Sequence, residues 1–170
     1  ALALAGLSAF AEPAPRWYKG NLHTHSLWGD GNDYPSLHTH SLWSDGNDYP
    51  EMIADRYKRA GYDFLAISDH NVLAEGERWL ELKPPAVVNG EVVQRGGGTV
   101  LDAYLARFGS DWVEVRDVNG KKSVRLKPLA DYRRLVEEPG RFLLIPSAEI
   151  TSTWHRPATA GRDANIGIVT

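Results

Sequence analysis

Pro50-Glu51-Met52-Ile53-Ala54-Asp55-Arg56-Tyr57-Lys58-Arg59-Ala60-Gly61 is followed at once by Tyr62-Asp63-Phe64-Leu65-Ala66-Ile67 and then Ser68-Asp69-His70. The first part reads as a helix. Proline suits a first turn, where its missing N–H is not needed, and glycine suits a C-terminal cap. Met52, Ile53, Tyr57 and Ala60 recur at helical spacing and form one apolar face. The apolar run Tyr62–Ile67 reads as a buried strand, and it exits on three polar residues. A helix feeding a buried strand that ends in Asp and His is the pattern of α/β folds, whose active sites are built from loops at the strand ends.

The pattern continues downstream. A further helix is expected around Ala74–Leu82, loop over the Pro- and Gly-rich segment Lys83–Gly98, and a helix over Thr99–Phe108 stopped by Gly109. Trp112–Val118 and Lys121–Lys127 flank Asn119-Gly120, a strong hairpin signal. Leu129–Glu138 reads as a helix and Arg141–Ile145 as a strand running into Pro146-Ser147-Ala148-Glu149. Asn165–Thr170 begins one more strand. Strands alternating with helices around one hairpin predict βα units around a parallel sheet or barrel.

Upstream lies an internal repeat. Asn21–Pro35 reads NLHTHSLWGDGNDYP and Ser36–Pro50 reads SLHTHSLWSDGNDYP; the copies differ only at Asn21/Ser36 and Gly29/Ser44. Two short copies do not make a solenoid, so a tandem duplication is the expectation. At the start, Ala1–Ala11 is a short apolar run ending in a small-x-small pattern at Ala9 and Ala11. It resembles the remnant of a secretory signal, without the basic leader or initiating Met, which predicts a periplasmic or secreted protein occupying residues 12–170. A short apolar helix is the alternative. The run is too short to span a bilayer.

Composition narrows the chemistry. The 170 residues have 42% hydrophobic and 24% charged content and a net charge of -3, so there is no basic footprint for nucleic acid or an anionic membrane. There is no cysteine, which removes disulfides, thiolate metal sites and cysteine nucleophiles together. Any metal must be held by His, Asp or Glu. All six histidines, His23, His25, His38, His40, His70 and His155, fall in or near candidate motifs. On a strand, residues two apart share a face with Cα atoms about 6–7 Å apart, so each His-Thr-His pair can converge on one ion. Asp30 and Asp45 each follow the second His of their copy by five residues, across an Asp-Gly turn. Asp69 and His70 are the candidate catalytic pair; Asp69 either ligates metal or orients a neighbouring imidazole. Glu149 follows another apolar strand. Donors without thiolates suit zinc, manganese or iron.

Trp17–Ser26, Ser44-Asp45-Gly46, Asp63–Asn71 and Ser147-Ala148-Glu149-Ile150-Thr151, in that order, resemble the first three motifs of PHP (polymerase and histidinol phosphatase) domains, closest to a secreted bacterial branch near carbaryl-hydrolase-like metallohydrolases. The resemblance implies a partial, distorted (βα)7 PHP-type barrel with an inserted β-hairpin, truncated at its C-terminal end. It implies two or three divalent metal ions at the strand ends, held by a His pair, His70 and a bridging Glu149, and a metal-bound hydroxide that attacks a small phosphoester. A carbamate, amide or ester substrate, and a catalytically incomplete metal-binding fragment, remain alternatives. Three departures stand out. There are two copies of the first motif: Arg16–Asn21 leads naturally into His23 and His25, slightly favoured as the strand-borne pair, whereas the helix at Pro50 follows naturally from His38, His40 and Asp45. Asp163 stands where the family has a His, which leaves Asp163 or His155 as the substitute ligand. A later Asp-x-His is not in the sequence. Oligomeric state is left open.

Overall fold

A computed structural model describes residues 15–22, 40–88, 91–150 and 168–169. The elements in chain order are β1 (Gly20–Asn21), α1 (Pro50–Arg59), β2 (Phe64–Ala66), β3 (Asp69–His70), β4 (Arg78–Glu81), β5 (Ala86–Val88), β6 (Glu91–Val93), α2 (Thr99–Phe108), β7 (Val115–Val118), β8 (Lys121–Leu126), α3 (Leu129–Val136), β9 (Leu143–Ile145), β10 (Ala148–Glu149) and β11 (Ile168–Val169).

The centre is parallel. β2 pairs in parallel with β1 on one side and β9 on the other. After a short break at Ile67-Ser68 and Pro146-Ser147, the same two chains pair again as β3 and β10. The register does not slip across the break: Phe64 faces Leu143 before it and His70 faces Glu149 after it. This is what sets His70 and Glu149 side by side at the C-terminal end of the sheet. α1 lies in the crossover from β1 to β2, and α3 precedes β9. Both helices pack on the sheet through Ile53, Ala54, Tyr57, Tyr132 and Val136, against Leu65, Ile67, Phe142 and Leu144.

α1 ends as its sequence predicts. Gly61 has φ +74°, Gly61 N–H donates to Lys58 O and Tyr62 N–H to Tyr57 O, the paired bonds of a Schellman cap. The Asn119-Gly120 turn also behaves as predicted. Both residues have positive φ, which matches the twist of the β7–β8 hairpin they join.

Three expectations are corrected. Ala74–Leu82 is not helical: Arg78–Glu81 forms β4 and pairs antiparallel with β8. Good helix formers are overridden here because the free edge of the β7–β8 hairpin offers a full ladder of partners and Arg116 stacks 3.8 Å from the Trp79 ring. Lys83–Gly98 is not all loop, for β5 and β6 pair with Val88 opposite Glu91. The dipeptide between them is Asn89-Gly90, the same turn signal that stood out at 119–120. Finally, β11 runs antiparallel to β10, where a parallel strand was expected. Among the described residues the sheets do not close into a barrel, and no helix is long and apolar enough to cross a membrane. The signal-like Ala1–Ala11 lies outside the described residues.

A second core packs Leu42, Trp43 and Tyr49 against Leu101, Tyr104, Val113, Val124 and Leu126. It encloses a carboxyl. Glu51 is fully buried and accepts hydrogen bonds from Tyr104 Oη (2.7 Å) and Trp112 Nε1 (3.2 Å). Burial pushes its carboxyl up to about 7, outweighing those bonds and the charge of Lys127. Between the usual glutamate value near 4.5 and about 7, the folded chain therefore holds a proton that the unfolded chain has lost. Stability should fall as pH rises through that window and level off above it, by about 3 kcal/mol in all. Urea denaturation at pH 5 and pH 8 tests this, with Glu51→Gln expected to flatten the difference. Equal pH slopes in the two proteins would remove the assignment.

Candidate metal centre

The residues that meet at the C-terminal ends of the parallel strands come from three separate stretches. His70 ends β3, Glu149 ends β10, and His40 and Asp45 come from the turn that precedes α1. His40 sits between two carboxylates: its Nδ1 is 2.9 Å from Asp45 Oδ1 and its Nε2 is 2.8 Å from Glu149 Oε2. His70 Nε2 is 3.5 Å from Asp45 Oδ2, and His70 Nδ1 is 3.8 Å from Glu149 Oε1. The two imidazole rings meet edge to face at 4.2 Å.

A neutral imidazole carries one N–H, so it can donate to only one of the two carboxylates flanking His40. The other nitrogen lone pair then faces a carboxylate oxygen. A proton on His40, or a cation drawn between these donors, resolves that surplus of acceptors. The arrangement suits a cation: one ligand atom each from His40, Asp45 and His70 lie within 4.8 Å of one another. This cluster could hold a metal ion.

Burial divides the cluster. The side chains of His40 and Glu149 are 2% and 7% exposed, whereas those of His70 and Asp45 are 32% and 63% exposed. One wall is therefore buried in the protein, and the other opens to solvent. Burial pushes the Asp45 carboxyl up, but its hydrogen bond to His40 and the charges of His40 and His70 prevail and hold it below the usual range.

Asp69 holds the turn that carries His40 and Asp45. Its Oδ1 accepts from Ser41 N–H (2.7 Å) and Ser44 Oγ (2.6 Å), and its Oδ2 accepts from Ser41 Oγ (2.7 Å). The bonds it accepts orient that turn through the backbone and hydroxyl of Ser41 and the hydroxyl of Ser44. Asp69 is buried, and three donors keep its charge compensated. Arg95 grips the same turn from outside. Its guanidinium donates to the carbonyls of Leu42 and Gly46 at 3.2 Å and also to that of Ser44. Gly46 is required for the turn's tightness, since a Cβ there would lie 2.1 Å from His40 O.

No family model matches the chain, and neither a curated protein nor a solved structure is significantly similar to it. The site is therefore read from its own geometry.

Of the predicted residues, the structure brings together His40, Asp45, His70 and Glu149, with Asp69 behind them. His23, His25, Asp30, His38, His155 and Asp163 lie outside the described residues. The described members of the repeat in the cluster, His40 and Asp45, come from the second copy, while the first pair, slightly favoured from sequence, lies outside the described residues. Sequence reasoning missed Ser41, Ser44 and Arg95. Ser44 did leave a signal, as one of two positions at which the copies differ. Trp43 is a core residue: it is buried, with Nε1 donating to Lys127 O at 3.1 Å. A cavity of about 570 Å³, lined by Tyr18, Phe64, Phe142 and Leu143 among others, lies at the opposite, N-terminal ends of β2 and β9.

Proposed function

We propose that this chain carries the metal site of a hydrolase of the PHP type, acting on a small phosphoester, within a partial (βα)7-like α/β domain of a secreted or periplasmic protein. The observation that carries the reading is the convergence of His40, Asp45, His70 and Glu149 from three stretches of chain at the C-terminal ends of parallel strands. Zinc, manganese or iron, two or three ions in such a site, supplies a lowered pKa for bound water and positive charge for a developing anion.

The chain's own groups divide the work. His40 and Glu149 form the buried wall and fix the donor geometry. His70 and Asp45 face solvent, where the substrate and attacking water enter. Asp69 keeps the His40–Asp45 turn in register with β3 through the Ser41 and Ser44 hydroxyls. Preorganised donors of this kind contribute to rate because they need not reorganise as charge develops.

Purified protein should hydrolyse phosphomonoester or phosphodiester model substrates with added manganese or zinc, and lose that activity in chelator. Turnover of a carbamate or carboxyl ester alone would shift the substrate class to the alternative. Absence of any metal-dependent turnover, with stoichiometric metal still bound, would reduce the proposal to a metal-binding domain.

A further inference from the structure

The two repeat copies compete for one place. The Asp69 carboxylate holds the turn Ser41–Gly46, with Ser41 N–H and Ser44 Oγ donating to Oδ1 and Ser41 Oγ to Oδ2. The first copy encodes nearly the same turn as Ser26-Leu27-Trp28-Gly29-Asp30-Gly31. The second copy runs straight into α1, whereas the first would reach it through the other copy, although the residues after the turn, Asn-Asp-Tyr-Pro, are identical in both. Whichever copy docks, one 15-residue unit is left over, before the turn in one case and after it in the other. Loop closure depends on length, so to first order it does not choose between them.

Within the repeat itself, the choice rests on the positions at which the copies differ. One is Asn21/Ser36. Asn21 is buried in β1 and donates to Tyr57 Oη in α1, and it stays there whichever turn docks. The other is Ser44/Gly29. Ser44 Oγ donates to Asp69 Oδ1 at 2.6 Å; glycine has no side chain with which to donate, and it also loses more backbone freedom when ordered. We propose that Ser44 is the positioning residue that selects the second repeat copy for the Asp69 anchor and so delivers His40 and Asp45, in preference to their first-copy counterparts, to the site. That the delivered groups bind metal rests on the function proposed above; the selection itself does not.

Hydrogen–deuterium exchange on the full chain, compared between segments 26–31 and 41–46, tests the selection. In the unmodified protein 41–46 should be the slower segment. In the double variant Ser44→Gly/Gly29→Ser the protection should move to 26–31. Persistence of slow exchange at 41–46 in that variant overturns the proposal. Gly29→Ser alone leaves Ser44 in place and should bring the two segments to comparable protection; an unchanged pattern also overturns it. Ser44→Thr keeps the hydroxyl and should behave as the unmodified chain. Titration with Mn²⁺ separates the two claims. Ser44→Gly should bind about 10-fold more weakly, the usual cost of losing a partner behind a ligand, and Ser44→Thr should restore affinity. If no protein binds Mn²⁺ or Zn²⁺ while protection still transfers, the metal reading fails and the selection stands.

Discussion

Removing the His70 imidazole as His70→Ala is expected to weaken Zn²⁺ or Mn²⁺ binding by about 100-fold or more, with little change in folding. The estimate is a lower bound, since losing even a partner that merely orients a ligand costs ~10–100-fold. His70 is the suitable probe because its side chain is one-third exposed and its backbone pairing in β3 does not need the ring. His40→Ala should cost at least as much affinity and should also destabilise the fold. Its ring is buried between Asp45 and Glu149, and truncation withdraws a partner from the buried Glu149 carboxylate. Calorimetric titration and thermal melting on both variants separate the two effects. A His70→Ala protein that binds metal as tightly as the parent would rule out this cluster as the metal site.

Trp43→Ala should destabilise the chain by about 3–5 kcal/mol, the range for truncating a large aromatic in a packed core, or roughly 10 °C in Tm at this size. Trp43 is 2% exposed among Leu42, Tyr49, Val124 and Leu126, and the Arg78 guanidinium lies 5.5 Å from its ring. Trp43→Phe should cost less, about 1 kcal/mol of it from the lost bond to Lys127 O. The residue also couples stability to function. It lies within the turn between Ser41 and Ser44, so loosening its packing loosens the anchor on Asp69, and metal affinity should fall with it. A change in Tm of less than about 2 °C would mean that the ring is not packed as described.

The local signals were legible. Pro50 and Gly61 mark the two ends of α1, Asn119-Gly120 marks the β7–β8 turn, and the polar exit of Tyr62–Ile67 marks the strand end that carries His70. Each depends on the backbone preference of one or two residues, which the sequence states directly. The donor types were legible too, because a chain without cysteine leaves only His, Asp and Glu for a metal. Ala74–Leu82 shows where that logic ends. Its residues favour a helix, but the open edge of β8, more than forty positions on, makes part of it a strand.

The same division runs through the site. The sequence by itself determined which residues can ligate and that two nearly identical copies of the first motif exist. Only the tertiary structure decided that His40 and Asp45 of the second copy meet His70 and Glu149, and that Asp69 holds the turn that carries His40. The reason is physical. Two copies with the same local sequence have the same local preferences, so nothing nearby can rank them. The contacts seen at the site, Ser44 to Asp69 and His40 to Glu149, join residues 25 and 109 positions apart and exist only once the parallel strands have set their register.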